Sequence, residues 1–115
     1  MHELSLAQNI IEMMNDAVPA EKQHRVKTIH LEAGAFSGVV PDSLAFALDC
    51  ILPDSGFPKA RAFIHEIPFT VYCKTCKRKR INNSGISICE ECGSSEIEIL
   101  SGTELILKAI ELGDE

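Results

Sequence analysis

At 115 residues the chain suits one small domain, or a domain with an appendage too small to fold alone. Its hydrophobic content of 45% can build a core, but aromatics are 5% and tryptophan is absent, so that core must be mostly aliphatic. A net charge of −6 argues against the whole chain binding nucleic acid, and no run approaches the roughly 20 apolar residues that span a bilayer.

The opening Met1-His2-Glu3-Leu4-Ser5 lacks the basic and apolar leader of a secreted protein. The expected compartment is the cytoplasm. Thiols stay reduced there, so paired cysteines read as metal ligands rather than disulfides. From Leu4 to Val18 the apolar spacing fits a helix with one broad apolar face, ended by Pro19. Val26 to Ala35 alternates Ile29, Leu31 and Ala33 with Thr28, His30 and Glu32, as a strand with one buried side does.

Pro41-Asp42-Ser43 predicts a second helix with a side-chain oxygen at its cap, and Leu44, Ala47, Leu48 and Ile51 share one face of it. Cys50, alone on this helix, reads as a small buried core residue. Pro53-Asp54-Ser55-Gly56 breaks the helix. Ala60 to Ile67 reads as a strand, and Phe69 to Tyr72 begins a third. A cysteine module follows, then a short strand near Ile97, Ile99 and Leu100 and a last strand from Thr103 to Leu112. The expected fold is α+β: a small mixed β-sheet covered by two helices on one face. A zinc-ribbon-like module of four cysteines is inserted between two of its strands, because the last strand must return to bury its apolar side. This divides the chain into an α/β domain, residues 1–70 and 100–115, and a metal module, residues 71–99.

Four of the five cysteines form Cys73-Lys74-Thr75-Cys76 and Cys89-Glu90-Glu91-Cys92, twelve residues apart. Each C-x-x-C turn converges two sulfurs on one ion, and the spacer lets the second turn fold back opposite the first. Four ligands of one soft type leave no open position, which favours a structural zinc over a catalytic one. Gly93 suits the backbone turn that follows such a pair. Rubredoxin-like iron is the rival ion, and a redox pair would need only one C-x-x-C. Lys77-Arg78-Lys79-Arg80 reads as a solvated charged loop. Its alternatives are an acidic docking partner, or nucleic acid in a zinc-ribbon transcription accessory protein.

His2 lies beside the terminal amine of Met1. An amine, backbone nitrogens and an imidazole close small chelate rings, a nitrogen-rich set that suits Ni(II) or Cu(II). His24, His30 and His65 read as surface or sheet residues. No phosphate-binding loop or nucleophile elbow is present, so no catalysis is expected.

Met1-His2-Glu3-Leu4-Ser5-Leu6-Ala7 resembles the opening signature of the HypA/HybF family, nickel metallochaperones of [NiFe]-hydrogenase maturation. The two C-x-x-C pairs, the strand around Ile29 to Gly34 and Pro41-Asp42-Ser43-Leu44-Ala45-Phe46 are similar to it as well. The resemblance implies Ni(II) bound through His2, with Glu3 as a ligand or as a support to one, and zinc on Cys73, Cys76, Cys89 and Cys92. It implies a HypB-like GTPase and the hydrogenase large subunit as partners, with urease maturation proteins for some members. No nucleic-acid or membrane partner is implied. Some members carry histidines beside the zinc cysteines. None lies between Cys73 and Cys92 here, so a pH-dependent exchange of zinc ligands is not expected.

Overall fold

The computed structural model describes residues 3–114. Its first body is a helix-on-sheet layer. Helix α1 (Glu3–Ala17) buries Ala7, Ile10, Ile11 and Met14, a stripe at helical spacing, and carries acidic Glu3 in its first turn, where the helix dipole favours it. A short 3₁₀ segment, Ala20–Arg25, leads into β1 (Val26–Gly34). Helix α2 (Pro41–Ile51) then crosses over to β2 (Arg61–Ile67), which lies parallel to β1.

Pro41 sits in the first turn of α2 as expected, but neither Asp42 nor Ser43 caps it: the cap position is Val40, with no side-chain hydrogen bond. Cys50 is also not where the sequence reading put it, because it is exposed. At 100° per residue it falls well outside the face shared by Leu44, Ala47, Leu48 and Ile51.

The last strand, β6 (Leu105–Leu112), returns antiparallel on the other side of β1, so the sheet order is β2-β1-β6 and the sheet is mixed. Ile29 and Leu31 point inward and form one core with both helices, Phe57 and Leu52. His30 and Glu32, on the alternate positions, face the opposite side. A crossover helix runs antiparallel to its strands. Gly56, after α2, lies beside the side chain of Gln23, after α1, so the two helices run side by side in one direction. Their N-terminal ends therefore lie at the Gly34 end of β1.

That end carries the second body, a three-stranded antiparallel sheet of order β4-β3-β5: β3 (Thr70–Cys73), β4 (Arg78–Ile81) and β5 (Ile97–Ser101). The basic run is thus not a loop. Arg78, Lys79 and Arg80 pair across to Cys73, Tyr72 and Val71. The two bodies are joined end to end. The radius of gyration, 17.4 Å, exceeds the roughly 13 Å of a compact domain of this length, and the long axis is 54 Å. Phe36 packs edge-on against Phe69 at 5.2 Å across the junction.

The aliphatic core lies wholly in the first body. The second buries Phe69, Val71, Cys73, Cys89 and Asn82, and little else that is large.

Candidate metal centre

Two turns of similar build present the sulfurs. Cys73 ends β3. Its carbonyl oxygen accepts from the Lys77 N–H at 2.7 Å, and Lys77 takes a left-handed φ of 58°. Cys89 repeats the pattern: its carbonyl accepts from the Gly93 N–H at 2.8 Å, and Gly93 has φ 74°. Inside the first turn the Cys76 N–H points at Cys73 Sγ, 3.3 Å away. Thr75 and Ser94 link the two turns hydroxyl to hydroxyl at 2.9 Å.

The four sulfurs converge. Cys73 and Cys92 are 3.7 Å apart, Cys76 and Cys89 are 3.9 Å apart, and all ligand atoms lie within 4.8 Å of one another. Four sulfurs at about 2.3 Å from one tetrahedral ion stand about 3.8 Å apart, close to the two shortest separations here, so the set can close on a zinc-type ion. Cys73 and Cys89 are buried, Cys76 is half-buried and Cys92 is exposed.

Without a cation, sulfurs this close resist ionising together. The Cys76 thiol is pushed up to about 12, first by its hydrogen bond with the Cys92 side chain and then by burial. The Cys89 thiol is drawn down to about 6, chiefly by the Cys92 backbone N–H and then that of Glu91. The second turn therefore has one sulfur already prepared as a thiolate.

The spacer is built around a residue the sequence reading missed. Asn82 is 2% exposed, and its Nδ2 donates to the Ile86 and Ile88 carbonyls at 3.0 and 3.1 Å. Its Oδ1 accepts from the N–H and hydroxyl of Ser84 and from the Gly85 N–H. One side chain thus folds residues 82–88 and delivers Cys89. Asparagine's turn chemistry, just after the basic run, was the signal available. Arg80 forms an ion pair with Glu91, tying β4 to the second turn.

Of the expected nickel residues, Met1 and His2 lie outside the described residues, and Glu3 opens α1, half-buried. His30 and His65 lie on neighbouring strands and His24 in the 3₁₀ segment. No helix among the described residues is long and apolar enough to cross a membrane.

Fold and site together define an α+β protein with an appended tetrathiolate metal-binding module. The sequence profile described as "Hydrogenase/urease nickel incorporation, metallochaperone, hypA" matches residues 1–112, and the chain belongs to this HypA family of metallochaperones, which are not enzymes. The hydrogenase maturation factor HypA of Parabacteroides distasonis is 36% identical over 115 residues, covering 100% of both chains. That of Desulfatibacillum aliphaticivorans is 35% identical, covering 99% of this chain and 88% of the relative. The fold matches the solution structure of the Ni metallochaperone HypA from Helicobacter pylori with a TM-score of 0.68, 23% identity and full coverage of both chains.

Proposed function

We propose that this chain carries Ni(II) at its N-terminus and delivers it during maturation of [NiFe]-hydrogenase, while Cys73, Cys76, Cys89 and Cys92 hold a structural zinc. The observation that carries this reading is the closed tetrathiolate in a chain of the nickel-incorporation family. A closed set of four sulfurs keeps its ion and offers no position for a cargo that must be released. The cargo therefore binds elsewhere, on nitrogen donors: the His2 imidazole with the Met1 amine and adjacent backbone nitrogens, supported by Glu3. Glu3 opens α1 at the end of the first sheet where the second body joins.

In this reading residues 1–70 with 100–115 form the nickel-binding domain and residues 71–99 the zinc module. The receiving and regulating partners are a GTPase of the HypB type and the hydrogenase large subunit, with urease maturation proteins as further clients, in the cytoplasm. Metal analysis of untagged protein and its His2→Ala variant tests it. The expected result is loss of the tight nickel equivalent with zinc unchanged. Equal tight nickel binding in the variant refutes the N-terminal assignment.

A further inference from the structure

The open face of the first sheet holds a cluster that neither metal assignment uses. His30, in the middle of β1, lies beside Phe63 and His65 of β2, with ring centroids 5.9 and 5.6 Å apart and interplanar angles of 23° and 15°, and it meets the His65 ring edge to edge. From β6 on the other side, Glu111 Oε1 lies 2.5 Å from His30 Nε2. The other ring nitrogen, His30 Nδ1, is 3.3 Å from His65 Nε2. Three strands thus contribute to one contact, on the face away from the helices, where Phe63 is 53% exposed.

With His30 neutral, the carboxylate selects its tautomer. An ionised carboxylate only accepts, so His30 Nε2 carries the hydrogen and Nδ1 turns its lone pair toward His65. In the metal-free pair, His65 Nε2–H fills the gap between the rings. An ion can replace that hydrogen. Two imidazole nitrogens at about 2.0–2.1 Å from one ion stand roughly 2.9–3.4 Å apart, for angles from square to tetrahedral. The observed 3.3 Å falls within that range, and a turn of the exposed His65 ring brings both lone pairs onto one ion. A carboxylate on the outward nitrogen is also the usual support of a ligating histidine.

We infer that His30 Nδ1 and His65 Nε2 form a second, exchangeable site for a divalent first-row ion of the Ni(II), Cu(II) or Zn(II) type, with Glu111 orienting His30. Binding moves the His65 hydrogen from Nε2 to Nδ1, so the neutral ring releases no net proton. Glu32, the cross-strand neighbour of His65, adds negative charge on the same face. Two protein donors leave the remaining coordination positions to water or to a donor from another molecule, which makes this a weak site of rapid exchange rather than a closed one. It does not depend on the N-terminal reading.

Nickel chloride is the probe. Untagged His2→Ala protein is titrated while imidazole and aromatic resonances are followed by NMR. The expected result is paramagnetic broadening that begins at His30, His65 and Phe63. In His65→Gln the nickel concentration for half-broadening rises about tenfold or more, and Glu111→Gln weakens binding by about 10–100-fold. Zinc content and the shifts of Ile29 and Leu31 stay unchanged, which excludes loss of fold. Absence of broadening at these rings up to millimolar nickel, or an unchanged midpoint in His65→Gln, overturns the site and shows a purely hydrogen-bonded pair. Failure of the N-terminal reading is separate: it appears as a missing tight equivalent in the parent protein.

Discussion

Gly34 and Gly102 meet backbone to backbone: a Cβ on Gly34 would fall 2.1 Å from the Gly102 carbonyl carbon. Around this contact the Gly34 N–H donates to the Glu104 carbonyl at 2.8 Å, and the Phe36 N–H donates to the Gly102 carbonyl at 2.9 Å. It is the point where the chain leaving β5 passes the end of β1 on its way into β6, so it fixes the two bodies to each other.

Gly102→Ala is expected to destabilise the protein. Gly102 has φ 104°, where a side chain is strained, and its Cβ would stand 2.3 Å from Phe69 Cα. Backbone on every side cannot yield as a flexible side chain can. The combined strain and overpacking should cost at least about 2 kcal/mol, read as a lower denaturation midpoint. A variant as stable as the parent would show that the two bodies are not locked at this contact.

Asn82→Ala should cost about 1–3 kcal/mol, because the Ile86 and Ile88 carbonyls and the Ser84 and Gly85 N–H groups lose their shared partner. The loop that brings in Cys89 loosens, so metal dissociates faster. Stopped-flow transfer of zinc to a chromophoric chelator measures this. Asn82→Asp should be worse, since it turns an acceptor toward two carbonyl oxygens.

Zinc removal is expected to unfold the second body and spare the first. About twenty residues ordered at roughly 1–2 kcal/mol each need a compensating term, and binding of a structural zinc contributes about 10–16 kcal/mol. The second body has no aliphatic cluster to replace it. After chelation, amide exchange should accelerate at Val71 and Ile97 while Ile29 and Leu31 remain protected. Retained protection of Val71 would show that the module stands without its ion.

Zinc affinity should rise with pH. The sign follows from the thiols: bound sulfurs are ionised, so any proton still held must leave. Cys76, raised to about 12, keeps its proton throughout the neutral range and contributes one proton to the slope there. Cys89, lowered to about 6, is already ionised at neutral pH and adds its proton only as pH falls through that value. The plot of log affinity against pH should therefore steepen below about 6, as seen by chelator competition. Cys89→Ser removes that steepening.

The features written locally were legible in the chain. The Ala7, Ile10, Ile11 and Met14 stripe, the alternation through β1 and the paired cysteines each signal within a few residues, because helix period, strand period and ligand turns are local geometry. Cys50 was misread because being small and apolar does not say which side of α2 it occupies. The basic run was misread because charge predicts exposure, whereas pairing with β3 is decided by where Cys73 must stand.

Sequence alone determined the four sulfurs, the two helices and the central strand, since spacing dictates them. Only the tertiary structure decided that His30 meets residues 35 and 81 positions away, that Asn82 organises the spacer, and that two glycines carry the junction. Contacts of that kind depend on strand order and register. Those are set by which faces the whole chain can bury together, not by any one segment.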